Sequence, residues 1–436
     1  MSKWPRKRAC VVPAFVMQWL FVSSAPGADA NDIAEADSAH SDIAHRMHSH
    51  EPVVTDAGLS WDELIETTLR RYPAFDELDA RRREASAFAS AGRRPLAASP
   101  SVSMGYLTDA PLDDLDQREF DVLLSLPLWR PGQRAAAQAL GATVGIEAGL
   151  AAGVMRWQVT GLIRQGLWDI AAARNELELA ETSENAVQDI LAVVVRRREL
   201  GDLPLADELL AHAELFARSM DVIDKQAQLL DVERAYRSLT GLDTRPAEFD
   251  EVLTELQDFD DNHPLLAFAD AGLARAEAAR ELADDQTRGS PTLNIGPHRQ
   301  RDPLGTFYSN SMQLTLNMPV GGRRYGSVAR AQANRVVATA SAQRSLLRRE
   351  LDLQLHEAEH ELFVVEESLD VAIERELLVQ RQLEMARSAF SLGEIELRSL
   401  LRIQDSARMA EGELRGLRIH RQRMIAMLNH ALGVLP

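Results

Sequence analysis

Two proline-free segments, Gln133 to Arg198 and Gly326 to Ser391, restrict most sharply what this chain can fold into. Each is sixty-six residues long, and at ~1.5 Å rise per residue each makes a helix about 100 Å long. No compact domain holds such a rod, so each must lie against partner helices. In the second segment Leu351, Leu355, Ala358, Leu362, Val365, Leu369 and Ala372, then Val379, Leu383, Ala386 and Phe390, alternate spacings of four and three. Only Glu376 interrupts this heptad seam, and a seam demands a facing helix. The turns "LGDLP" and "LGEIE" follow the two segments. After the second turn a returning seam runs through Ile403, Ala407, Ala410, Leu414, Leu417, Met424, Leu428 and Ala431. Each segment therefore opens a coiled-coil hairpin, expected over 133–241 and 326–433.

The two hairpins belong to a tandem duplication. Tyr72-Pro73 recurs as His263-Pro264 and Ser99-Pro100 as Ser290-Pro291, both displaced by 191 residues. Pro127 recurs as Pro319, Leu200-Gly201 as Leu392-Gly393 and Gly241 as Gly433, all displaced by 192. Five landmarks in order at a near-constant offset define repeats at 59–242 and 262–436, joined by a linker at 243–261. Before each hairpin stand a helical segment (Trp61 to Gly92; Pro264 to Thr287) and two stretches of period-two alternation, the signature of strands. They are expected at about 99–108 and 118–128, and at about 291–298 and 309–320. Met312, Leu314, Leu316, Met318 and Val320 face one way there, and Ser311, Gln313, Thr315, Asn317 and Pro319 the other. The same alternation occurs in half-buried strands of soluble proteins and in transmembrane barrels. Four strands cannot close a barrel, because the smallest bacterial single-chain barrels use eight. A barrel here requires several copies. The fold class is mostly α with a small β part.

The first thirty residues read as a cleaved export signal: Lys3, Arg6, Lys7 and Arg8 precede an apolar run from Val11 to Val22 and a small-residue ending at Ala28-Asp29-Ala30. No later stretch offers ~20 uninterrupted apolar residues, so no transmembrane helix is expected. The single cysteine, Cys10, lies in the signal, and the mature chain is expected to carry no disulfide. Removing the signal takes the net charge from −18 to −21, with 44 basic against 65 acidic residues. So acidic a chain excludes a nucleic-acid partner. Residues 31–58 read as a His- and Asp-rich disordered tail. His40, His45, His48 and His50 lie there among acidic residues and are candidate ligands for a soft divalent cation, or incidental members of a solvated linker.

The early x-Pro elements, the strand-to-helix "PLWRPGQR", the tips "RRRELGDLPLADELLAHA" and "RSAFSLGEIELRSLLRIQ", and the repeat ends "LTGL" and "ALGVL" together resemble the TolC-like outer-membrane efflux proteins. The resemblance covers about Leu59 to Leu435, with Tyr72 and His263 standing where the family usually has Asn. It implies a homotrimer of twelve strands in one barrel, continued as an α-helical duct through the periplasm of a Gram-negative bacterium. Its implied partners are a periplasmic adaptor (membrane fusion) protein, an inner-membrane pump of the resistance-nodulation-division type and outer-membrane lipid, with no cofactor. "DLPLADELLAHAEL" and "LWDIAAARNELELAE" look most like the heavy-metal efflux branch.

For a passive duct the candidate site is the tip. Leu200, Gly201, Leu203, Leu392, Gly393 and Ile395 are candidates for adaptor docking, because apolar groups exposed at a helix end suggest a partner. The same apolar groups also pack many helix ends. Asp202, Asp207, Glu394 and Glu396 are candidate aperture carboxylates, since rings of carboxylates favour cations and repel one another. "HEAEH" at 356–360 fits the zinc-protease pattern H-E-x-x-H. His356 and His360 lie one helical turn apart, yet Glu374 on the same helix is about 21 Å away and cannot turn back as a third ligand. The register-equivalent stretch in the first repeat, "RQGLW" at 164–168, lacks the motif. No catalytic residue is expected. The rival reading is a soluble periplasmic coiled-coil adaptor or scaffold, which explains the hairpins but not the strands.

Overall fold

The computed structural model describes residues 52–110, 115–256, 258–259, 263–320 and 326–436. The export signal and His40, His45, His48 and His50 therefore lie outside the described residues. In chain order the elements are β1 (Val54–Asp56), α1 (Trp61–Arg71), α2 (Phe75–Arg93), β2 (Ser101–Thr108), β3 (Arg118–Pro127), α3 (Gln133–Glu199) and α4 (Leu205–Thr240). Then come β4 (Thr244–Pro246), α5 (Pro264–Gln286), β5 (Thr292–Arg301), β6 (Ser309–Asn317), α6 (Ser327–Ser391) and α7 (Leu397–Ala431).

The long helices α3 and α6 run 67 and 65 residues. The seam positions Leu351, Leu355, Leu362, Val365, Leu383, Ala386 and Phe390 are buried, as are Ala407, Ala410, Leu414, Met424, Leu428 and Ala431 on the returning α7. Burying each large aliphatic chain of this kind stabilises by roughly 1.5–3 kcal/mol, which is what holds α6 against the returning α7. Among the described residues α3 is the one helix long and apolar enough, by length and composition, to cross a membrane, where the sequence led us to expect none. Small residues on this helix permit close packing: a Cβ on Gly141 would stand 3.1 Å from the backbone of Ala89 on α2.

The helical segment of the first repeat breaks into α1 and α2 at Tyr72-Pro73, whereas in the second repeat His263 caps α5 and Pro264 is its first residue. Residues 31–58 are not tail throughout. Val53 is buried, its N–H donating to Glu233 Oε2 at 3.1 Å and its carbonyl accepting from Arg174 Nη2 at 2.5 Å, and β1 pairs parallel with β4. A composition reading cannot see that strand, because its partner β4 lies in the linker 243–261.

Strands β2, β3, β5 and β6 form one antiparallel sheet in that order. Strand β5 runs to Arg301, beyond the expected 298, because His298 to Arg301 continue the ladder against Arg118–Asp121 and Ser309–Ser311. The ladder to β3 is interrupted opposite Val122 and Leu123, where Pro297 has no N–H to give. There a Cβ on Gly296 would meet the Val122 carbonyl oxygen at 1.8 Å, so only glycine fits.

One buried polar network joins the repeats. Arg164 of α3 is fully buried and pairs through both Nε and Nη2, at 2.7 Å each, with the two carboxylate oxygens of Glu251 in the linker. Arg164 Nη2 also donates to the Val434 carbonyl at 3.1 Å, and Asn429 of α7 donates to Glu251 Oε2 at 3.0 Å. His430 stacks on Trp157 with ring centroids 4.1 Å apart. Burial, with Arg164 and His263 beside it, pushes the His430 imidazole down to about 3, so it is neutral.

Candidate functional site

Both hairpin tips are built by the same backbone motif. Helix α3 ends at Leu200, Gly201 takes φ 80°, and the amides of Gly201 and Asp202 return to the carbonyls of Arg198 and Arg197. Helix α6 repeats this at Leu392, with Gly393 at φ 77° and the amides of Gly393 and Glu394 returning to Phe390 and Ala389. Left-handed backbone at this position is what glycine supplies without steric cost.

The four apolar tip candidates divide. Leu200 and Leu392 stand out in solvent, 69% and 74% exposed. Leu203 and Ile395 instead fold back over the helix ends and pack on a cluster that includes Val194, Ala211, Phe390, Leu397 and Leu400. The chain leaving a glycine-terminated helix reverses onto its last turn, which brings the next apolar residue inward.

The tips of one chain sit side by side. Arg197 of the first donates Nη1 to the Phe390 carbonyl of the second at 2.7 Å and lies 5.1 Å from the Phe390 ring centre. Its Nε donates to Asp202 at 2.6 Å. A cleft of about 740 Å³ between the tips is lined by Asp202, Asp207, Glu394 and Glu396 together with Arg197 and Arg398. Glu394 and Glu396 are exposed and Asp207 half-buried. All four candidate carboxylates therefore share one cleft, with Asp202 tied to Arg197. The arginine was the member that sequence reasoning passed over; its signal is the basic run Arg196-Arg197-Arg198 in the last turn of α3, where cations favour the helix C-terminus.

His356 and His360 are exposed on α6. Among the described residues no group of three or more His, Cys, Asp or Glu is placed to hold a metal ion.

At the sheet, cross-strand register sorts the two faces. Val102, Met104 and Tyr106 share a face with Phe120, Val122 and Leu124, with Leu293 and Ile295, and with Met312, Leu314 and Leu316. Most of these side chains are exposed, Met104 at 74% and Met312 at 69%. The opposite face carries Ser103, Asp121, Ser125, Asn294, His298, Gln313 and Thr315. An apolar face left open to the surroundings and a polar face behind it is the arrangement of a barrel wall in lipid.

Two long-helix hairpins and one two-faced four-stranded sheet define the architecture. No protein-family model and no curated protein sequence matches the chain. Solved structures do. The outer membrane protein VceC of Vibrio cholerae matches with a TM-score of 0.69 at 14% identity, over 86% of this chain and 96% of that one. The CmeC outer membrane channel of Campylobacter jejuni gives 0.65 at 13%, over 88% and 90%. CusC, whose structures concern transmembrane channel formation, gives 0.66 at 17%, over 86% and 92%. The chain has the fold of the TolC-like outer-membrane channels.

Proposed function

We propose that this chain is the outer-membrane channel of a tripartite export system in a Gram-negative bacterium. Three copies close their sheets into a twelve-stranded barrel and their hairpins into one periplasmic duct. Its tips, through Leu200 and Leu392 beside Gly201 and Gly393, dock on a periplasmic adaptor protein, and an inner-membrane pump of the resistance-nodulation-division type supplies the cargo. The carboxylates Asp202, Asp207, Glu394 and Glu396 line its aperture.

The observation that carries this reading is the exposed apolar face of the four-stranded sheet. A soluble adaptor would leave Met104, Tyr106, Met312 and Leu314 in water as one contiguous patch, which soluble proteins rarely tolerate. The cargo we assign is a heavy-metal cation, supported by the likeness of "DLPLADELLAHAEL" to the heavy-metal branch and by His40, His45, His48 and His50 in the tail. The test is the native mass of the signal-processed protein extracted from host membranes. A detergent-requiring trimer supports the channel, and a water-soluble monomer or dimer overturns it. Unchanged tolerance of zinc, copper and cadmium in a deletion strain overturns the cargo alone.

A further inference from the structure

Strands β3 and β5 carry a feature for which a passive duct has no use. Directly opposed residues of a sheet point to the same face, and Arg118 stands opposite Arg301 while Phe120 stands opposite Arg299. Counted in twos, Arg299 and Arg301 continue the row Leu293, Ile295, Pro297, and Arg118 begins the row Phe120, Val122, Leu124. Three arginines thus lie on the apolar face, at its loop end, and not on the polar face where a water-filled lumen would account for them.

The described surroundings position all three arginines and give a carboxylate partner to two of them. The Arg299 guanidinium lies 4.4 Å from the ring centre of Tyr308, and that of Arg301 lies 5.8 Å from it. Asp116 serves both Arg118, at 3.1 Å, and Arg301. Among the described residues no carboxylate is within ion-pairing distance of Arg299. Among the described residues one carboxylate, Asp116, thus serves two of the three guanidinium groups and none pairs with the third, on a chain whose net charge is −18. Tyr106, exposed on the same face, belongs with Tyr308 to the kind of tyrosine belt that marks a membrane–water boundary. From Arg299 down to Leu293 is about 20 Å along the strand at ~3.3 Å per residue, room for an acyl chain beneath a headgroup.

We propose that Arg118, Arg299 and Arg301 form a rim site for the phosphorylated headgroup of an outer-leaflet lipid. The inference rests on the reading that this face meets the bilayer. The planar fork of a guanidinium matches two phosphate oxygens, and a Tyr-stacked arginine is held ready for that contact. The apolar row below receives the chains, which free phosphate would leave uncovered.

The test uses the full-length, detergent-extracted protein and follows binding of diphosphoryl lipid A, dephosphorylated lipid A and inorganic phosphate by native mass spectrometry and by melting of the assembly. Diphosphoryl lipid A is expected to bind and to raise the melting temperature, with the other two inert. The triple variant R118Q/R299Q/R301Q should bind about tenfold more weakly while still assembling. R299Q alone breaks no ion pair, so it reports even where the triple variant fails to assemble, and a severalfold loss is expected. A detergent-requiring trimer whose R299Q variant binds lipid A undiminished overturns the rim site and leaves the channel standing. Equal binding of dephosphorylated lipid A, or an equal shift from inorganic phosphate, overturns it as well. A water-soluble monomer overturns the channel and the rim site together.

Discussion

Replacing Glu251 by alanine tests whether the buried network holds the two repeats together. Arg164 has no exposed side-chain surface, and Glu251 satisfies two of its donors at 2.7 Å. Removing the carboxylate leaves a desolvated guanidinium whose remaining partners among the described residues are the Val434 carbonyl and the His430 imidazole. Uncompensated buried charge of this kind costs about 3–5 kcal/mol. If the unit from Pro52 to Pro436 melts together, an unfolding entropy of ~2.1 cal/mol/K per residue over roughly 380 residues amounts to about 0.8 kcal/mol/K, and the loss appears as a fall of about 4–6 °C. Tryptophan fluorescence is a suitable readout, because Trp157 stacks on His430 beside the network. The double variant Arg164→Met/Glu251→Leu removes the charge along with its partner and should recover most of the fall, since apolar replacements of buried pairs are often neutral or stabilising. A single variant within about 1 °C of the parent refutes the magnitude. A double variant as unstable as the single refutes the cause.

Three further outcomes are expected. His430, ordinarily near 6.5 and held at about 3 here, takes up a proton in the unfolded chain but not in the folded one between those values. Stability should therefore decline as pH falls from about 6.5 toward 3, and His430→Gln should show a shallower decline in melting temperature over that window. Gly296→Ala drives a methyl into the Val122 carbonyl and should abolish detergent-resistant assembly. Gly105→Ala meets only the movable Asp121 carboxylate, at 2.5 Å, and should be milder by native mass. Gly393→Val together with Leu392→Ser strains the tip by roughly 1–2 kcal/mol and removes an exposed apolar group; export should fail with assembly intact, and undiminished resistance in the host contradicts tip docking.

The helical framework was legible because it is periodic. Leu351 to Phe390 could be read as a seam from spacing alone, and the strands from alternation, since one face of each had to meet an apolar surrounding. The recurring Leu-Gly pairs marked the tips, because a helix end needing positive φ selects glycine. What stayed hidden depends on contacts distant along the chain. Arg164 meets Glu251 across 87 positions and His430 across 266, and no local period encodes such a meeting. The stretch "RQGLW" drew notice only for lacking the histidines of HEAEH, yet its arginine is the buried centre of the chain's polar network. HEAEH itself, the more conspicuous pattern, lies exposed on α6. Similarly, the strand expected to stop at about 298 continues to Arg301 and places Arg299 and Arg301 on the apolar face.

The strand order has a genetic consequence. The sheet's two open edges are β2, from the first repeat, and β6, from the second, so they are different surfaces. A two-fold pair of copies could mate like with like and would still leave two bare edges; joining β6 of one copy to β2 of the next removes every edge only when the circle closes. Bare backbone donors and acceptors are not tolerated in hydrocarbon. In the proposed channel an open chain of copies always keeps two bare edges however many copies it holds, and only the closed ring has none. A variant damaged at one edge alone would still be recruited through its intact edge and would spoil the ring for its healthy neighbours. Co-expressed with the parent in equal amounts, it should behave as a dominant poison, sparing only the roughly one ring in eight that contains three sound copies by chance.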